Sequence, residues 1–166
     1  MNKIAIVILN WNGADMMRRF LPDVVKFSPA DSVVVADNGS TDDSRSWLSA
    51  TLPAVRQVVL GANYGFAEGY NRALHQVEAD YYLLLNSDVA VREGWLEPML
   101  SYMDEHPEVA ACQPKLRCQW SPRQFEYAGA CGGYIDRLGY PYCRGRVFNT
   151  VETDEGQYDT VRTVLW

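Results

Sequence analysis

Ile4-Ala5-Ile6-Val7-Ile8-Leu9 is continuously apolar and then gives way at once to Asn10-Trp11-Asn12-Gly13. A run of this length with no polar alternation fits a parallel β-strand buried on both faces, which commits the chain to helices on either side of a sheet. The residues that follow repeat the arrangement. Met17, Phe20, Leu21 and Val24 have helical spacing, with Pro22 expected to kink or interrupt that helix. Ser32–Ala36 reads as a second strand, and Ser40-Thr41-Asp42-Asp43 as a helix start capped by Ser40. Val55–Leu60 is the third strand, and Ala67, Tyr70, Leu74 and Val77 then share a helical face. Tyr81–Leu85 is the fourth and most apolar strand. Leu96, Met99, Leu100 and Met103 mark another helix, and Val109–Cys112 a fifth strand. Alternation of this kind, with short connections, implies an α/β fold with a mainly parallel sheet and right-handed crossovers, Rossmann-like in outline.

From about residue 114 the pattern changes. Trp120, Tyr127, Tyr134, Tyr140, Tyr142 and Phe148 crowd among Gly129, Gly132, Gly133, Gly139 and Gly145. This composition suggests short antiparallel strands and ordered loops and is too aromatic for a disordered tail. The expected organisation is an α/β unit over residues 1–113 followed by a small antiparallel or irregular section over 114–166.

The polar residues fall at one kind of place. Each of the first four strands runs into a small cluster: Asn10-Trp11-Asn12-Gly13, Asp37-Asn38-Gly39-Ser40, Asn63-Tyr64-Gly65 and Asn86-Ser87-Asp88. Asn, Asp and Gly are ordinary turn residues, so one cluster alone would indicate only a competent loop. Four at the carboxyl ends of strands in one open parallel sheet lie where such sheets bind ligands. The usual phosphate-binding loops, G-x-x-x-x-G-K-[ST] and G-x-G-x-x-G after the first strand, are absent, which disfavours a P-loop ATPase and an ordinary NAD enzyme.

The formal net charge is −6, which argues against nucleic acid as a partner and leaves an anionic ligand in need of local help. Asp37, an acceptor only, could receive the N3–H of uracil or thymine. Asp88 with Asn86 offers hard oxygen ligands for Mg2+ or Mn2+, which would bridge to a diphosphate. Cys112, Cys118, Cys131 and Cys143 have no C-x2-C spacing and read as free thiols. Asp42 and Asp43 read as helix caps rather than ligands, and His75 and His106 as surface residues. Arg137, Arg144 and Arg146 could meet a phosphate-bearing acceptor, although Arg on irregular structure is usually solvated.

Taken together, Ile8–Gly13, Val35–Asp42, Asn63–Asn71 and Leu84–Asp88 resemble, in order and spacing, the family 2 glycosyltransferases of the GT-A fold, in particular the bacterial rhamnosyltransferase-like branch. The resemblance covers about the first 115 residues. It implies a metal-dependent inverting transferase that moves a sugar from a UDP- or dTDP-sugar to a glycan or lipid-linked acceptor. Asp37 would contact the base, with Asn10 and Trp11 lining the base and ribose pocket. Asn63, Gly65 and Asn71 would pass near the ribose and diphosphate. Asp88 would be the metal-binding carboxylate of the D-x-D motif, whose first position is here Asn86. Many members carry Arg where this chain has Tyr70. The family's catalytic base, an Asp or Glu in an acidic motif, is expected beyond Trp166, so this chain would hold mainly the donor-binding half. The alternative is a nucleotide-sugar-binding module without catalytic activity. No apolar run approaches the length of a membrane span, and the expected location is cytoplasmic, at most peripheral to the inner face of the cell membrane.

Overall fold

A computed structural model of the chain describes residues 2–126 and 132–159. Tyr127, Gly129 and Cys131 lie outside the described residues. Four parallel strands form the central sheet: β1 (Asn2–Asn10), β2 (Val33–Asp37), β3 (Arg56–Val59) and β4 (Ala79–Leu85), in the order β3-β2-β1-β4. Helices α1 (Ala14–Lys26), α2 (Ser44–Thr51) and α3 (Gly65–Leu74) connect them, and α4 (Glu97–Glu105) follows. The α/β class and the parallel sheet expected from the sequence are therefore present. The chain divides into two compact units, residues 1–96 and 97–166.

Burial explains the composition of the strands. Ile4 to Ile8 and all five residues of β2 are buried, as continuous apolar runs require when both faces are covered. On one face Ala5, Val7, Val34, Ala36 and Val58 pack with Tyr70, Ala73 and Val77 from α3 and the turn after it. The alternate residues Ile4, Ile6, Ile8, Val33 and Val35 face the other way and are equally buried. So are Met17, Leu21 and Val24 of α1 and Leu48 of α2. Each such side chain contributes about 1.5–3 kcal/mol by leaving water. Strand β4, though the most apolar by sequence, sits at the sheet edge and leaves Tyr82 and Leu84 exposed on one face.

Three local expectations are corrected. Pro22 does not interrupt α1, which continues to Lys26; the missing N–H forfeits one internal bond while the buried stripe on either side holds the helix. Helix α2 begins at Ser44 rather than at Ser40, because the Ser40–Asp43 stretch is spent on bonds to the neighbouring loop. Residues 109–112 form no strand: the segment has no ladder partner, and the order β3-β2-β1-β4 completes the parallel sheet among the described residues.

In the second unit, β5 (Gly133–Ile135) pairs antiparallel with β6 (Pro141–Cys143), and β7 (Arg146–Val147) with β8 (Thr150–Val151). Buried Phe125 and the Asp154 carboxylate, which meets Lys115 at 2.9 Å and Arg117 at 2.6 Å, anchor this unit. The short antiparallel elements match the sequence expectation for the tail. Cys112, Cys118 and Cys143 are free thiols.

Candidate nucleotide-sugar site

The parallel register brings the strand exits together. Asn10 on β1 lies beside Asp37 on β2, Asp37 beside Val59 on β3, and Ile8 beside Leu85 on β4, so all four polar clusters follow the same end of the sheet. The loop after β4 also adjoins the loop after β1: a Cβ added at Gly13 would stand 3.8 Å from the Ser87 hydroxyl.

Asp37 ends β2 with its side chain only 3% exposed. One carboxylate oxygen, Oδ2, accepts from the Ser40 backbone N–H at 3.3 Å and lies 3.9 Å from the half-exposed Arg45 guanidinium. The other, Oδ1, is buried and meets no donor among the described residues. Leaving a charged acceptor unsatisfied costs free energy, and such an atom at a strand exit marks a place where a ligand donor fits. Asn10, also buried, gives its amide to Ser40 Oγ at 3.1 Å and Ser44 Oγ at 3.0 Å. Its own Oδ1 is unpartnered and lies so close under Gly13 that a Cβ there would approach it to 2.5 Å. Asn10 therefore joins the β1 exit to the β2–α2 connection, while its neighbour Trp11 stands 57% exposed at the mouth of the sheet.

Asn38 is a residue that the strand-exit reading did not single out. It is buried; its amide donates to Asn63 Oδ1 at 3.1 Å and the Gly65 carbonyl at 3.0 Å, and its oxygen accepts from the Tyr64 N–H at 3.0 Å. Asn63 Oδ1 also receives the Gly65 N–H at 2.8 Å. One buried amide thus fixes the loop that carries both Asn63 and Gly65. Its signal in the sequence is only its place in Asp37-Asn38-Gly39, where an Asn is usually just a turn residue.

A second latch joins the first two loops. Asn12 Oδ1 accepts from the Thr41 N–H at 2.7 Å and the Asp42 N–H at 3.2 Å, while Ser40 Oγ accepts from the Asn12 N–H at 3.0 Å. Asp42 caps two helices at once. Its Oδ2 takes the N–H of Ala14, the first residue of α1, at 3.0 Å, and its Oδ1 takes the Ser44 N–H and hydroxyl at 3.1 and 2.5 Å. Lost hydration raises the Asp42 pKa, but the Ser44 and Ala14 hydrogen bonds and the Arg18 charge outweigh it and hold the carboxyl below the ordinary value of 3.8. A depressed folded-state pKa means stability that is complete above the unfolded value and disappears as pH falls through the folded one. Asp42→Asn is therefore expected to unfold more easily than the parent at neutral pH and to show a flatter loss of stability below about pH 4. Parallel acid dependence of the two proteins in thermal melts would show that Asp42 is not the group responsible.

Tyr70, where the family resemblance implies Arg in many members, is buried and donates its hydroxyl to the Leu85 carbonyl at 3.2 Å, at the last residue of β4. Burial raises its pKa. The position serves packing between α3 and β4. Asn71, next to it, is exposed on α3. Asn86 and Asp88 are both exposed in the loop beyond β4. Among the described residues no group of three or more His, Cys, Asp or Glu could hold a metal ion. One carboxylate and one amide oxygen still fit the usual Mg2+ arrangement, in which the protein gives one or two ligands and substrate phosphates and water give the rest.

Comparison with known proteins gives one consistent picture. Residues 5–157 match the model described as glycosyl transferase family 2. The chain is 26% identical over 126 residues to an N-acetylglucosaminyl-diphospho-decaprenol L-rhamnosyltransferase of Mycobacterium tuberculosis, covering 69% of this chain and 41% of that protein. It is 27% identical over 93 residues to a teichoic acid poly(glycerol phosphate) polymerase of Staphylococcus epidermidis, covering 53% and 13%. Among solved structures, S. aureus TarS 1–349 in complex with UDP superposes with a TM-score of 0.56 at 20% identity, covering 70% of this chain and 40% of that one. A mannosyltransferase from Pyrobaculum calidifontis in complex with GDP-Man and Mn2+ gives 0.51 at 18% identity, covering 69% and 34%. The chain spans less than half the length of these curated relatives. Among the described residues no helix is long and apolar enough to cross a membrane.

Proposed function

The chain belongs to glycosyl transferase family 2 and has its GT-A fold, and on that footing we propose that it binds a UDP- or dTDP-sugar as donor for transfer to a glycan or lipid-linked acceptor. The observation that carries the donor reading is the buried, unpartnered Asp37 Oδ1 beside Asn10 at the sheet's carboxyl end. Uracil and thymine both present an N3–H, and a carboxylate can only accept, so the two groups match in kind. Cytosine lacks that proton. Support for a uridine donor and a lipid-linked acceptor comes from the names of relatives: TarS is described in complex with UDP-GlcNAc, and the mycobacterial rhamnosyltransferase by a decaprenol-linked substrate.

In this proposal Asp37 accepts from the base, Trp11 offers an exposed aromatic face to base or ribose, and Asn10 and Asn38 are positioning residues. Asn63, Gly65 and Asn71 lie along the ribose and diphosphate. Asp88 and Asn86 would hold Mg2+ or Mn2+, which when bound supplies Lewis-acid stabilisation of the charge on the departing diphosphate. The reaction is an inverting displacement: the acceptor oxygen bonds to the anomeric carbon, the bond to the diphosphate breaks, and the hydroxyl proton passes to a base. The residues named above serve the donor side, and an Asp or Glu of the acidic motif that the family resemblance implies would serve as the base.

Thermal melts with UDP, with and without Mn2+, test the proposal. A ligand at 100 times its Kd stabilises by about 2.7 kcal/mol, a shift of several degrees for a unit of this size. Asp88→Ala is expected to keep the metal-free response to UDP and lose the increment due to Mn2+. Equal stabilisation by ATP, NAD and UDP, or an undiminished Mn2+ increment in Asp88→Ala, would refute the site as drawn.

A further inference from the structure

Arg144 is not the solvated side chain that its place in irregular sequence suggests. It is only 7% exposed, and its Nε is enclosed without a hydrogen-bond partner among the described residues. Arginine is rarely buried unless paired, because a desolvated charge is costly. Among the described residues no carboxylate reaches it. Glu152 is occupied elsewhere, accepting the Tyr158 hydroxyl at 2.9 Å and the Gln157 amide at 3.2 Å. What Arg144 does meet is aromatic: its guanidinium carbon lies 4.6 Å from the centre of the Tyr158 ring and 5.5 Å from that of Tyr134. These contacts recover part of the lost hydration but leave the Nε–H without an acceptor among the described residues.

The β5–β6 hairpin sets the surroundings. Tyr134 and Tyr142 are register partners with ring centres 5.4 Å apart, and the Arg144 N–H bonds the Gly132 carbonyl one step further along. Side chains two apart on a strand share a face, so Tyr142 and Arg144 lie together with Tyr134 opposite. Tyr134 is 36% and Tyr142 54% exposed. One face of the hairpin therefore presents an open tyrosine pair beside a cation that meets no carboxylate among the described residues.

We infer that this face binds a phosphorylated sugar, with the phosphoryl oxygens on the Arg144 guanidinium and the sugar ring against Tyr134 and Tyr142. A planar guanidinium favours bidentate contact with phosphate, and aromatic faces accept the C–H side of a sugar ring. The inference rests on the glycosyltransferase reading, under which the ligand is the phosphate-bearing end of the acceptor.

Titration of the full chain with glucose 1-phosphate, followed by NMR at the Arg144 Nε–H and the tyrosine rings, tests it. Glucose 1-phosphate is expected to shift Arg144, Tyr134 and Tyr142 together. Inorganic phosphate should shift Arg144 alone and bind more weakly, and glucose should shift none of them. Arg144→Gln should raise the Kd for glucose 1-phosphate tenfold or more. Tyr142→Ser, at an exposed position, should raise it several-fold while leaving inorganic phosphate unchanged, and decides the matter if Arg144→Gln does not fold. No shift at Arg144 with either phosphate, equal affinity for inorganic phosphate and glucose 1-phosphate, or unaltered binding by Tyr142→Ser would overturn the inference. UDP with Mn2+ in the same sample separates the two readings: a normal UDP response with a silent Arg144 overturns this inference alone, and the reverse overturns the donor site alone.

Discussion

Asp37→Ala is expected to weaken UDP binding by roughly 10- to 100-fold, the equivalent of one hydrogen bond to a charged group at about 1.5–3 kcal/mol. The same substitution should leave the affinity for inorganic pyrophosphate with Mn2+ nearly unchanged, because the proposed metal site lies in the loop beyond β4. A further outcome makes the test sharper. The free protein now carries a buried carboxylate oxygen without a donor, so removing it takes away a desolvation cost along with the Ser40 bond. The midpoint of thermal unfolding in the absence of ligand should not fall, while nucleotide affinity does. Calorimetric titration and melts of the two proteins read both quantities. A lower midpoint with unchanged UDP affinity would make Asp37 a structural residue and remove the base contact from the proposal.

Gly39→Ala should be among the most damaging single-atom-group changes in the first unit. Gly39 has φ +76°, and an added Cβ would stand 2.6 Å from the Ala62 carbonyl carbon and 2.8 Å from the Asn63 nitrogen, both backbone atoms. Gly61 provides the control, since its φ is +86° but nothing lies within 4 Å of an added Cβ. Gly61→Ala should therefore cost about 1–2 kcal/mol from backbone conformation alone. Gly39→Ala adds a steric cost of about 1–3 kcal/mol and displaces the loop that Asn38 holds. Urea unfolding should separate the two variants by that increment, and the folded fraction of Gly39→Ala should bind UDP less tightly than the parent, because Asn63 and Gly65 have moved. Equal destabilisation would mean that the β3–α3 loop yields without cost.

Hydrophobic pattern carried the first unit well because its strands are buried on both faces and its ligand end is defined by chain direction. Ile4–Leu9 could hardly be anything but a central strand, and the step from Leu9 to Asn10 or from Ala36 to Asp37 marks where side chains leave the core. The errors came where a residue's partner lies on another loop. Ser40 looks like a helix cap when only its own neighbours are considered, but its oxygen accepts from Asn12 and Asn10 across the sheet end. Asn38 looks like a turn residue until Asn63 and Tyr64 are in place beside it. Val109–Cys112 has strand composition, yet no ladder partner reaches it among the described residues. Arg144 follows the same logic in the second unit, since its burial depends on Tyr134 and Tyr158, ten and fourteen positions away in opposite directions.

The central position of β1 also governs when the fold can form. Ile6 pairs with Val33 on one side and with Leu83 on the other, so β1 is completed only when β4, made later, joins it. During synthesis β1 and β2 can associate early, but the second edge of β1 stays open until Leu85 has left the ribosome. That edge belongs to an uninterrupted apolar strand, the kind most prone to pair with the wrong partner. A nascent chain stalled with β4 still inside the ribosome should engage chaperones through β1 more strongly than one stalled with Leu85 outside it, and graded stall lengths would place the change at the length that first exposes all of β4.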